Sequence, residues 1–197
     1  MSDLVFAHSP VFDPLRLGGK TWPLKALFVL AGTGFLALSS QISVPMVPVP
    51  ITMQTFAVTM VGVIYGWRLG VVTILAWLTE AIVGLPVLAN GAGGIVHFAG
   101  PTAGYLASFP LIGGLAGWLA ARGWTGDRVV LSFLAHFSAN ILCLAIGAAW
   151  LAALIGLEKA VMLGAVPFLL GAVLKSALAA AGLKAIQDRV RKPAGLL

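Results

Sequence analysis

The chain has 197 residues, of which 60% are hydrophobic and only 9% charged, with a formal net charge of +6. Soluble domains run at about 25% charged and 45–50% apolar residues, so a soluble fold of this length has too little polar surface to enclose this sequence, whereas lipid tails solvate it. The composition excludes an ordinary soluble domain. The basic residues sit between apolar runs, which argues for membrane topology rather than nucleic-acid binding.

Residues 1–22 read as a polar cytoplasmic arm. Asp3, Asp13, Arg16 and Lys20 interrupt any sustained apolar stretch, so no removable signal peptide is expected. Gly19-Lys20-Thr21 resembles the end of a Walker A loop, but the glycine needed five positions earlier is Pro14, and Trp22-Pro23 follows. ATP binding by this chain is not expected, and any ATP-driven process needs a partner.

Spans are expected at 23–42, 53–66, 69–89, 102–121, 129–153 and 167–188, against the roughly 20 apolar residues that cross a core of about 30 Å. The fold class is thus all-α and integral to the membrane: a six-helix domain over 23–188 and a basic cytoplasmic tail over 189–197. Ten of the twelve basic residues fall on one side of this arrangement, Lys159 on the other, and Lys175 inside span six. Lys and Arg favour the cytoplasm, so both termini are placed there, in a multi-pass protein of the cell inner (plasma) membrane.

Span two is short, about 21 Å for fourteen residues. Before it, prolines at 45, 48 and 50 forbid a helix, yet the segment is apolar. Irregular backbone at membrane depth survives when buried in protein or lining a cavity. Residues 43–52 therefore read as an outer lid or re-entrant segment; the alternative is an extracellular turn with a proline spacer. The loop from Leu85 to Gly100 is also outside, free of ionised groups and rich in glycine, so the two loops suggest a shared outward-facing pocket.

Asn90 in that loop reads as a ligand contact or as the first residue of an Asn-Gly turn. Pro101 suits the first position of span four, which opens Thr102-Ala-Gly104-Tyr105; Tyr105 lies one turn inward with its hydroxyl available, or belongs to an interfacial aromatic belt. Ser132, His136 and Asn140 share one face of span five and read as polar glue between helices or as ligand contacts. Lys175 lies about 12 Å below the outer end of span six. A charge at that depth is costly unless paired or hydrated. It reads as the counter-ion of an anionic ligand, as the partner of Glu80 midway along span three, or as a snorkelling lysine. Small-xxx-small pairs occur at Gly113/Gly117, Ala177/Ala181 and Thr33/Ala37 and serve either internal packing or a second protein. Cys143 is the single cysteine, so no internal disulfide forms. No metal-ligand or catalytic cluster is readable, and neither cofactor nor enzymatic activity is expected.

Five motifs in order, Gln41-Ile-Ser-Val-Pro45, Val49-Pro-Ile-Thr-Met-Gln54-Thr, Gly84-Leu-Pro86, Gly100-Pro-Thr-Ala-Gly-Tyr105-Leu and Pro167-Phe-Leu…Lys175, give the chain its resemblance to a known family. It resembles the biotin-specific S component (BioY type) of energy-coupling-factor vitamin transporters. The resemblance implies a six-helix S-component-like bundle with a lid between its first two helices, biotin as ligand, and as partners a transmembrane coupling protein and two cytoplasmic ATPases. It implies Asn90 and Lys175 as ligand contacts, with Gln54, Tyr105 and Thr102 beside them. The family commonly has Gly-Asp-x-x-Lys in the last helix; here the run is Gly171-Ala172-Val-Leu-Lys175, so that acidic acceptor is missing. Another small anionic vitamin, an intramembrane enzyme and a structural bundle are the alternatives in function.

Overall fold

The computed structural model describes residue 15 and residues 19–191. The expected N-terminal arm and basic tail lie mostly outside the described residues. Seven α-helices follow in order: α1 (Trp22–Gln41), α2 (Gln54–Ile64), α3 (Trp67–Ile82), α4 (Ala103–Ala121), α5 (Val129–Ile155), α6 (Leu157–Gly164) and α7 (Val166–Arg191). Two-residue strands β1 (Ser43–Val44) and β2 (Ile51–Thr52) pair antiparallel between α1 and α2, with Ser43 opposite Thr52. Short 3-10 turns occupy Ala89–Gly91, Ile95–Phe98 and Gly126–Arg128.

Four helical stretches are long and apolar enough to cross a membrane by length and composition: Trp22–Gln41, Ala103–Ala121, Gly126–Ile155 and Leu157–Arg189. With α2 and α3 they make the expected six-helix bundle, and α6 is a single short helix ahead of α7. α2 has only 11 residues, as its short apolar run foretold. Span three is corrected. α3 stops at Ile82, seven residues before the expected end, because Gly84 adopts φ 100° and turns the chain out of the helix. Its apolar composition continues past that point, so hydropathy gave no warning. The 154–166 connection is corrected as well: Gly156, at φ 87°, breaks the helix, and the chain restarts as α6.

α4 sits at the centre, touching α2, α3 and α5, while α7 packs on α5 and α1 on α3 and α2. At three glycines the helices of the centre close on one another backbone to backbone. A Cβ on Gly117 or Gly62 would fall inside contact distance of the other helix's carbonyl, and one on Gly70 would lie 2.8 Å from the Gly62 Cα. The Gly113/Gly117 pair therefore serves internal packing, which a small-xxx-small spacing permits. Trp77 of α3 and Phe109 of α4 stack above it at 5.9 Å. Thr33 is buried too, whereas Ala177 and Ala181 lie exposed on α7 beside Leu174, which is 60% exposed. Large exposed apolar side chains of this kind suit a lipid-facing surface.

The glycine contact predicts an asymmetric response. Gly117→Ala is expected to lower stability by about 1–3 kcal/mol through overpacking. Gly34→Ala on α1, where a new Cβ meets nothing within 4 Å, should be neutral or gain about 0.5–1 kcal/mol from helix propensity. Thermal unfolding in detergent measures both, and equal melting of the two variants contradicts the contact.

Candidate ligand-binding site

Beneath the β1–β2 hairpin lies a cavity of about 440 Å³, walled by the hairpin, the loop after α3, and faces of α2, α4, α5 and α7. That is within the range of ligand pockets, about 300–1,000 Å³. Leu88, Leu106, Phe109, Leu144 and Phe168 make most of its wall apolar, and Ala172 adds a methyl. All five residues singled out from the sequence, Gln54, Asn90, Thr102, Tyr105 and Lys175, line it together. They come from α2, the loop, the start of α4, α4 and α7, so only the tertiary fold unites them.

Lys175 is half-buried and reaches from α7 under the hairpin, where its Nζ donates to the Thr52 carbonyl at 3.1 Å. The ammonium is therefore turned into the cavity wall. Among the described residues no ion pair joins it to Glu80, whose placement is corrected: since α3 ends at Ile82, Glu80 stands in its last turn and not at mid-span.

Gln54 is buried, and its side chain is already engaged. Its Oε1 accepts from Thr52 Oγ at 3.0 Å, and its Nε2 donates to Ser40 Oγ at 3.2 Å, which in turn donates to Leu36 O. With Met53 N–H on Ile42 O, these bonds close the base of the hairpin. The irregular 43–52 segment thus has a short two-stranded stem, which the prolines concealed.

Asn90 holds the left-handed conformation, φ 57°, as its turn reading implied, and its Oδ1 accepts from Ser43 Oγ at 2.8 Å, tying loop to hairpin. Gln41, at the end of α1, clamps the same turn from both sides: its Nε2 donates to Leu88 O at 3.1 Å and its Oε1 accepts from Gly91 N at 2.9 Å. Sequence reasoning quoted Gln41 only within a motif; its partners lie 47 and 50 positions away, beyond any local signal.

Tyr105 is corrected in one respect. Its hydroxyl is not available as a free donor: it donates to Gly164 O at 2.7 Å, joining α4 to the end of α6. The ring stacks on Phe168 at 6.2 Å and occupies the space left by Gly147. Thr102 Oγ donates to His97 O at 3.2 Å, and Pro101 precedes the helix, which begins only at Ala103.

The face Ser132–His136–Asn140 divides. Asn140 lines the cavity, with Nδ2 donating to His136 O at 2.9 Å and to Ser176 Oγ on α7 at 3.3 Å. Ser132 and His136 are fully buried and make no side-chain hydrogen bond among the described residues, so only Asn140 acts as glue. Cys143 and Leu144 join Asn140 on the cavity side, an i, i+3, i+4 pattern that α5 could have disclosed. His97 and Thr55 also line the cavity and were missed. No group of three metal-ligating side chains exists among the described residues.

A model of the BioY family matches residues 19–192. The chain is 36% identical over 160 residues to the probable biotin transporter BioY of Pyrococcus horikoshii, covering 81% of this chain and 91% of that protein. It is 39% identical over 153 residues to the biotin transporter BioY of Rhizobium etli, covering 74% and 81%. The crystal structure at 2.1 Å of the S-component for biotin from an ECF-type ABC transporter aligns with a TM-score of 0.74 at 24% identity, over 84% of this chain and 92% of that one. This last likeness establishes the shared fold.

The stem of the hairpin can be tested alone. Gln54→Leu removes two neutral hydrogen bonds while leaving Ser40 bonded to Leu36 O, so a loss of about 1–2 kcal/mol is expected. Hydrogen exchange should accelerate at the hairpin and not in α4; unchanged exchange there would show that the stem does not depend on Gln54.

Proposed function

Because the chain belongs to the BioY family, we propose that it is the substrate-capturing membrane subunit of an energy-coupling-factor vitamin transporter, with biotin as its ligand. The single observation that carries this reading is the convergence of an intramembrane cation, Lys175, with neutral hydrogen-bonding groups in one largely apolar cavity. Biotin brings a carboxylate, a ureido group and an apolar ring and chain, so one molecule can use all three features. The membrane location follows from the spans; the orientation proposed is cavity outward, both termini cytoplasmic, in the cell inner membrane. The arm over 1–22 and the tail over 189–197 then face the cytoplasm.

The chemistry required is binding rather than bond breaking. The ammonium of Lys175 carries three donor protons, and Thr52 O engages one. Two remain for a ligand oxygen, and a hydrogen bond to a charged group contributes about 1.5–3 kcal/mol net. The apolar walls take the ring and chain, and the hairpin covers them. Energy for import comes from partners, proposed as a transmembrane coupling protein and two cytoplasmic ATPases, since the Gly19-Lys20-Thr21 run lacks a phosphate loop. A second reading, another small anionic vitamin, has one observation in its favour: Ala172 presents a methyl where an acidic acceptor for ureido N–H groups is common.

Lys175→Met keeps most of the stem and removes the charge. Biotin affinity should fall about tenfold or more, the equivalent of at least 1.4 kcal/mol, in a protein that still folds. Equilibrium binding decides it, and wild-type affinity in a well-folded variant removes Lys175 from the ligand's contacts. For orientation, cysteines placed at the exposed positions Lys20 and Asp188 should react with impermeant reagents from the cytoplasmic side, and one at Lys159 from the outside. Labelling of Lys20 and Lys159 variants from the same side contradicts the proposed topology.

A further inference from the structure

Two polar groups on the cavity wall keep hydrogen-bonding capacity that no neighbour uses. The first is Thr55. In α2 and α3, Thr59, Thr73 and Thr79 return their hydroxyls to a carbonyl four residues back, Thr59 to Thr55 O, Thr73 to Leu69 O and Thr79 to Leu75 O. Thr55 is the second residue of α2, so the residue four back is Ile51 in β2, outside the helix. Its Oγ is buried without a partner among the described residues and belongs to a cavity-lining residue.

The second is Asn140, which is 3% exposed. Its Nδ2 protons go to His136 O and Ser176 Oγ, and Ser176 is itself anchored by donating to Ala172 O at 2.6 Å. The amide is held at its nitrogen end, and Oδ1 is left as an acceptor without a partner among the described residues. Both residues line the same cavity. Counted from the helix ends away from the hairpin, Thr55 lies about 14 Å up α2 and Asn140 about 17 Å up α5, and α2 touches α5. The shortness of α2 brings its first turn down to the cavity.

We propose that Asn140 and Thr55 form the subsite that recognises the N–H and C=O edge of the ligand's urea, Asn140 Oδ1 accepting an N–H and the Thr55 hydroxyl bonding the same group. The inference rests on the biotin reading above. An amide oxygen fixed as an acceptor repels a carboxylate, so the anionic end of the ligand lies away from Asn140. A hydroxyl, which donates and accepts, suits a neutral urea. Buried groups left unpaired make such a site reject an analogue that lacks the matching donor.

The test uses the full-length purified chain and three probes: biotin and its two cyclic carbamate analogues, each with one ureido N–H replaced by oxygen. Wild type should bind at least one carbamate about tenfold or more weakly than biotin, the scale of one lost hydrogen bond and an oxygen–oxygen repulsion. Asn140→Leu should weaken biotin and shrink that discrimination to about threefold or less. Ser176→Ala, which loosens the amide without removing the acceptor, should retain it. Thr55→Val should weaken biotin, and Thr55→Ser should restore it. Discrimination unchanged in Asn140→Leu, or wild-type binding by Thr55→Val, overturns the proposal. So does a wild type that binds both carbamates as tightly as biotin, a result needing no variant to fold. A folded wild type that binds no biotin sinks the underlying reading instead, and this one with it.

Discussion

Non-helical backbone inside a membrane bundle must find every hydrogen bond within the protein, and that constraint organises the cavity end of this structure. Two irregular stretches, the hairpin between α1 and α2 and the loop between α3 and α4, present carbonyls that no helix ladder satisfies. Side chains from the surrounding helices supply the donors. Gln41 holds Leu88 O, Trp77 Nε1 holds Val87 O at 3.1 Å, Trp150 Nε1 holds Gly100 O at 3.0 Å, and Lys175 holds Thr52 O. Tyr105 does the same for Gly164 at the end of α6. Each bond fixes a loop to a different helix, so the cavity keeps its shape although much of its rim is not regular structure.

The same economy gives several residues two duties. Gln54 lines the cavity while its amide holds the hairpin stem, and Tyr105 lines it while its hydroxyl secures α6. Lys175 donates to the hairpin carbonyl Thr52 O and is also the lysine of the cavity wall. If the cavity binds an anion as proposed, its occupancy and one of the hairpin's ties share the same ammonium group. A ligand that shares it leaves the hairpin bonded; one that draws it away removes that anchor.

Much of this was legible in the sequence. Long apolar runs and asymmetric basic residues gave six helices, and prolines at 45, 48 and 50 marked the covering segment. The five residues expected at the site came from helix position and motif resemblance together, and the fold does gather them around one cavity. What failed was whatever hydropathy cannot resolve. Val83-Gly84-Leu85 is apolar whether it is helix or turn, so the end of α3, and with it Glu80, was misplaced. The break at Gly156 was nearly located, but Glu158 and Lys159 just after it read as a polar loop, which hid the short α6. Asn140 was seen on a polar face, but its membership of the cavity depends on how α5 is rotated against α7, a property of packing. The clamp by Gln41 is a contact across 47 and more positions and left no local trace.

The glycine contact at the centre also decides which parts of the bundle can move as hinges. Two helices that meet through side chains have rotamers to exchange, and so a series of intermediate positions. At Gly62, Gly70 and Gly117 backbone atoms of a neighbouring helix stand nearest to where a Cβ would be, with no rotamer to change, whereas Gly113 also meets the Ile74 side chain. In kinematic terms these backbone contacts make α2, α3 and α4 the stiffer part of the bundle. Displacement that opens or reshapes the cavity then falls on the joints outside that part: the hairpin between α1 and α2, and the breaks at Gly156 and Ala165 on either side of α6.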